Sequence, residues 1–169
     1  MSGRQPLVID ANVLIDYLRT EPKVLALASG LFGRVIVPVP VFEEVELLTD
    51  ALCQELGLEQ VLPSTAQLLE AATTARKSPL SFTDCLCHLV AREGGWICVT
   101  NDKRLRKLCE RDRVPLLWGL ELMLELFGTG KLSLSDAESI AWRIHQDNVF
   151  IRHETVLRFC ARLREMAPQ

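Results

Sequence analysis

The stretch from Leu80 to Lys107, LSFTDCLCHLVAREGGWICVTNDKRLRK, leaves a folding chain little choice. Ser81 is a helix-start residue, Leu86, Leu89 and Val90 recur at helical spacing, and Gly94-Gly95 stops the helix. Trp96, Ile97, Cys98 and Val99 then make an unbroken apolar run, the pattern of a parallel strand buried on both faces. That run ends in Thr100-Asn101-Asp102, just ahead of a basic helix. Helix, buried strand and helix in succession predict part of an open parallel sheet, whose ligand crevice lies outside the carboxyl ends of its strands. Asp102 is expected at that edge, and the helix has to carry Asp84 there.

The flanking sequence repeats the alternation. Pro6 to Ile9 is an apolar strand ending at Asp10-Ala11-Asn12, and Val13, Leu14, Tyr17 and Leu18 continue at helical spacing. Pro22 opens a second helix, and Val35 to Val37 is a second strand that must finish at Pro38 and Pro40, which lack ladder donors. Phe42 to Leu48 is expected to be helical, and Val61-Leu62 a short third strand. Ser64 with Gln67 is a capping-box pattern that starts the next helix, and Val114 to Leu117 is a fifth, edge-type strand. Strand and helix alternating in this way predict a parallel sheet covered by helices on both faces.

The division expected is a sheet domain over residues 1–128 and a helical extension over 129–169. In the extension, Ala137, Ile140, Ala141 and Ile144 form one apolar stripe, and Val156, Phe159, Cys160 and Leu163 another. Two such helices make too small a core by themselves. They need a third surface, either the apolar helix of Leu120 to Phe127 or a second subunit.

Composition narrows the class. With 49% hydrophobic and 24% charged residues the chain can bury one good core, and no apolar run approaches a membrane span, so a cytoplasmic protein with no membrane partner is expected. Six cysteines without a Cys-x-x-Cys pair predict buried reduced thiols. His88 is expected to be a packed side chain, and Trp96 and Trp118 to lie in the core. A formal charge of -3 argues against indiscriminate basic binding, so any basic patch has to be local.

Asp10, Asp84 and Asp102 all stand at element ends that the fold would bring to one sheet edge, with Glu44 as a fourth candidate. Singly, the aspartates could be helix caps and Glu44 a solvated side chain. Jointly, carboxylates about 5 Å apart repel by about 3 kcal/mol per pair at an effective dielectric near 20, so the cluster calls for bound cations. Carboxylates without thiolate or imidazole ligands suit hard divalent ions, Mg2+ or Mn2+.

These residues resemble a family, the PIN-domain nucleases, and within it the small VapC-type toxins of toxin-antitoxin pairs. The matching pieces are VIDANVLID around Asp10, PVFEEV around Glu44, LSFTD ending at Asp84 and VTND ending at Asp102, over about residues 5 to 127. The resemblance implies a three-layer α/β/α sandwich and a ribonuclease whose acidic, metal-holding tetrad is Asp10, Glu44, Asp84 and Asp102. Glu43 is the competing glutamate, with Glu44 the better fit to Val-x-x-Glu. The implied chemistry is metal-assisted hydrolysis of RNA phosphodiester bonds. The implied partners are RNA, an antitoxin protein and further copies of the chain in a homo-oligomer.

The basic helix after Asp102 is the expected RNA contact, because phosphate neutralisation supplies most non-specific affinity. Lys103, Arg104, Lys107 and Arg111 are the contact set, with Arg106 and Arg113 nearby and Leu105 and Leu108 facing inward. Asn12 and Thr100 could orient a ligand or water, or simply shape turns. Two other readings are weaker. A haloacid-dehalogenase-like phosphatase needs a second acid two residues after its nucleophile, where this chain has Asn12. A catalytically silent relative, serving as an RNA- or protein-binding module, would be marked by loss of a tetrad acid, and none is lost.

Overall fold

The computed structural model describes residues 3–168, so the outermost positions of the two expected segments, 1, 2 and 169, lie outside the described residues. Its centre is a five-stranded, wholly parallel sheet in the order β3-β2-β1-β4-β5, built from β1 (Leu7–Ile9), β2 (Val35–Pro38), β3 (Leu58–Val61), β4 (Ile97–Val99) and β5 (Leu116–Leu117). Every residue of β1 and β2 is buried, as two covered faces require. The chain moves outward from β1 through β2 to β3, then crosses back to β4 on the other side of β1. Right-handed crossovers therefore place α1 (Ala11–Thr20) and α2 (Lys23–Phe32) on one face, and α5 (Thr65–Lys77), α6 (Phe82–Gly94) and α7 (Lys103–Arg111) on the other. This is the expected three-layer α/β/α architecture.

Some local expectations need correction. The third strand lies at Leu58–Val61 rather than Val61-Leu62, and Leu62 is 78% exposed. Its polar residues hid it: Glu59 points outward and binds Arg34 through two hydrogen bonds of 2.7 and 2.8 Å. The helix expected from Phe42 is α3 (Val39–Glu44), which starts earlier because Pro40 sits in the first turn, where a missing N–H costs nothing. An unexpected α4 (Asp50–Leu56) follows, capped by Thr49 and closed by Gly57 in the left-handed conformation (φ 69°).

The extension joins the same core. After α8 (Glu121–Gly128) come α9 (Leu134–Asp147) and α10 (His153–Met166), which bury the two expected stripes. The third surface is supplied by α1 and α8 of the same chain. Arg143 donates to the Thr20 carbonyl at 2.8 Å, Asn148 to Asp16 at 2.9 Å and Arg162 to Glu121 at 2.9 Å, which pins the hairpin onto α1 and α8.

All six cysteines are buried free thiols. His88 is buried, with Nε2 2.9 Å from Asp112 Oδ2 but not aligned for a hydrogen bond. Trp96 packs against the core, whereas Trp118 does not: it is 39% exposed and carries the Arg106 guanidinium 3.5 Å above its ring. Strand β5 is only two residues long, so the ring falls just beyond the sheet edge. Among the described residues no helix is long and apolar enough to cross a membrane.

Candidate active site

Strands β1 and β4 pair in register, Leu7 with Ile97, Val8 with Cys98 and Ile9 with Val99. The register puts Asp10 and Thr100 side by side at the carboxyl end of the sheet, where the strand order reverses and a crevice opens. Asp10 caps α1, accepting from the Val13 N–H at 2.9 Å through Oδ1, while the Thr100 hydroxyl donates to Oδ2. The same hydroxyl oxygen accepts from the Asp102 N–H at 3.0 Å. Thr100, fully buried, thus ties the two strand-end aspartates together. Asp102 in turn caps α7, its Oδ1 accepting from the N–H groups of Arg104 and Leu105, both at 2.8 Å.

Asp84 arrives from the opposite layer. Ser81 Oγ accepts from the Asp84 N–H at 3.1 Å, and Asp84 Oδ2 accepts from the Ser81 N–H at 3.3 Å, a reciprocal cap that fixes the first turn of α6 over the crevice. The bland reading of these aspartates as helix caps is therefore correct as far as it goes. Each cap consumes one face of a carboxylate and leaves the rest: among the described residues nothing donates to Asp84 Oδ1 or Asp102 Oδ2.

The carboxylates feel one another. Burial pushes the Asp10 carboxyl up from 3.8 to about 7 against the hydrogen bonds from Thr100 and Val13, and the charges of Asp84 and Asp102 raise it further. Asp84 is raised as well, first by burial and then by Asp102 and Glu44. Glu44, at the exposed end of α3, is thus the glutamate of the Glu43-Glu44 pair whose charge reaches Asp84. Among the described residues, none of the four carboxylates stands in an ion pair.

Their chemistry fits a hard divalent cation of one kind. Among the described residues no three acidic, imidazole or thiol groups close around one point, as a dedicated cage would need. Magnesium does not use such cages: it binds through one or two carboxylates, keeps several waters and takes the rest of its shell from substrate phosphates. Spaced, mutually repelling carboxylates with unused oxygens match that habit.

The expected RNA contacts separate. Lys103 and Lys107 line a groove that runs from Asn12, Asn101 and Asp102 along α7, and Arg106 lines it too. Arg104 reaches instead to the Pro79 carbonyl at 3.4 Å, and Arg111 grips Asp112 at 2.8 and 3.2 Å. Two supporting residues escaped the sequence reading. Asn101 Oδ1 accepts from the Gly119 N–H at 2.9 Å, and the buried Tyr17 hydroxyl donates to the Gly119 carbonyl. A Cβ on Gly119 would meet Asn101 Nδ2 at 2.7 Å, so a larger residue there would push the Asn101 amide from its place under the crevice. The glycine stood in the sequence, but its partners lie 18 and 102 residues away, and no local signal connects them.

Comparison with protein families matches residues 7–111 to the family described as PIN domain. No curated protein sequence matches the chain.

Proposed function

Because the chain belongs to the PIN-domain family, whose members are generally metal-dependent nucleases, we propose that it is a Mg2+- or Mn2+-dependent endoribonuclease. The observation that carries this reading is the group of Asp10, Asp84 and Asp102 at the switch point of the sheet, where neighbouring carboxylates help to push the Asp10 and Asp84 pKa values up and, among the described residues, no cationic side chain pairs with any of the three. Glu44 completes the acidic set from α3.

In this reading Asp84 and Asp102 present their unused oxygens to the cation, and Asp10 presents what its two hydrogen bonds leave free. When bound, the ion supplies a water of lowered pKa and neutralises charge growing on the phosphate. Thr100 is a positioning residue: by donating to Asp10 and accepting from the Asp102 backbone it holds both strand ends at a fixed spacing. Lys103 and Lys107 neutralise substrate phosphates on the way into the crevice.

The chain's VapC-like motifs support the finer role of a toxin held in check by an antitoxin protein, acting as a homo-oligomer. Expression in a bacterial host should arrest growth for the parent but not for Asp10→Asn. The nuclease reading is tested by incubating purified protein with labelled single-stranded RNA, with Mg2+ or Mn2+ and with excess chelator. Cleavage only with metal is expected, and equal cleavage in chelator would sink the assignment.

A further inference from the structure

The groove beside α7 is larger than the crevice needs. It measures about 1420 Å³, above the roughly 300–1,000 Å³ of small-molecule pockets, and suits a polymer better than a metabolite. One wall is α7, with Lys103, Arg106 and Lys107; the other is the C-terminal hairpin, with Arg152, Arg158 and Arg162 on and beside α10. It begins at Asp102 and ends at Val149 and Phe150 in the loop between α9 and α10, which are 82% and 88% exposed.

Charge and stacking surfaces both speak to the occupant. Seven Lys and Arg side chains line the groove against five Asp and Glu, in a chain whose net charge is -3. Two of the acids are already engaged, Asp16 by Asn148 and Glu121 by Arg162. Among the described residues Lys103, Lys107, Arg152 and Arg158 stand in no ion pair. Arg106 sits over the Trp118 ring, its buried Nε without a hydrogen-bond partner, and both line the groove. Cationic side chains alternating with exposed aromatic faces are what a single-stranded nucleic acid uses, phosphates on the first and bases on the second.

We propose that the C-terminal hairpin is the far wall of a single-stranded RNA track that leaves the acidic crevice at Asp102, with Arg152 and Arg158 taking phosphates and Trp118 and Phe150 stacking bases. The proposal rests on the nuclease reading and adds a substrate contact outside residues 7–111, the family-matched part. It gives a role to the exposed phenylalanine at the tip of the hairpin.

The test uses the full chain in an Asp10→Asn background, so that RNA survives, with fluorescence anisotropy of a labelled oligouridylate of about a dozen nucleotides. Arg152→Gln with Arg158→Gln should weaken binding about tenfold and lower the slope of log affinity against log salt by about 1.4, the value for two single-strand phosphate contacts. Phe150→Ala, which removes no charge, should weaken binding about fivefold or more at unchanged salt slope. Parent protein that cleaves RNA while all these variants bind like the background would overturn the track and leave the nuclease reading standing, and would give the groove to a protein segment instead. If the parent cleaves no RNA yet the variants lose affinity as stated, the track stands and the enzymatic assignment fails. A background protein without RNA affinity overturns the track outright.

Discussion

The acidic crevice and the seat of the C-terminal hairpin use the same residue types to opposite ends. At the seat, carboxylates meet cations: Glu21 faces Arg143, Glu121 faces Arg162 and Glu138 faces Arg164. In the crevice the hydrogen bonds described for Asp10, Asp84 and Asp102 come from neutral backbone and hydroxyl donors, and the charges remain unpaired. The contrast is sharpest at α1, where the capping Asp10 and the helical Asp16 are both buried and both raised, to about 7 and about 6. Asp16 is lowered by Asn148 and by the Arg19 charge, against a push from Asp147, while Asp10 is lowered only by the neutral donors Thr100 and Val13 and raised by the charges of Asp84 and Asp102. Charge satisfied within the chain reads as structure; charge left unsatisfied beside a crevice reads as a place for something absent from the chain itself.

The comparison can be broken most forcefully at the crevice. Asp10→Asn, Asp84→Asn and Asp102→Asn should each cut metal-dependent RNA cleavage by a thousandfold or more, about 4 kcal/mol of barrier, with circular dichroism unchanged. Without metal these variants should be no less stable than the parent, since each removes a repelling charge. Retained cleavage together with lost stability would mean that the carboxylates are structural after all.

At the seat the order reverses, stability falling before activity. Phe159→Ala deletes a ring that is 4% exposed and should cost about 3 kcal/mol or more in chemical denaturation. An unchanged midpoint would show the hairpin to be a detachable appendage.

A third test compares the aspartates by pH. An acid whose folded pKa lies above its unfolded value binds its proton more tightly when folded, so its contribution is greatest at low pH and is lost as pH rises through the folded value. For Asp16, raised mainly by burial, the window runs from about pH 4 to about pH 6. In chelator, the parent should lose up to about 3 kcal/mol relative to Asp16→Asn across it, and the corresponding difference from Asp10→Asn should run on to about pH 7. A parent-to-variant difference flat across this range would contradict the burial argument.

The smallest effect is expected from Arg164→Gln. Its 2.8 Å bridge to Glu138 is two-thirds exposed on the arginine side, and its loss should change stability by under about 1 kcal/mol. A larger loss would mean that the seat depends on its ion pairs rather than on its apolar stripes.

Much of this was legible locally. The capping boxes at Ser64 and Ser81, the apolar run Trp96 to Val99 and the two stripes of the hairpin are short-range patterns, and the structure reproduces each, the run as strand Ile97–Val99. The misses were equally physical. Strand β3 pairs with one neighbour only and buries just Leu58 fully, with Glu59 exposed and Gln60 and Val61 half-buried, so its sequence lacks the apolar run that revealed β4.

The sequence by itself determined the order of elements and the placing of aspartates at their ends, because periodicity, caps and strand burial act over a few residues. Only the tertiary structure decided that Thr100 joins Asp10 to Asp102, that the Glu44 charge is felt at Asp84, that Gly119 packs against the Asn101 amide, and that Trp118 faces a groove instead of the core. Each of these depends on the register of β1 against β4 or on packing between elements tens of residues apart. Such contacts form only when a whole layer is in place, and no window of the chain encodes them.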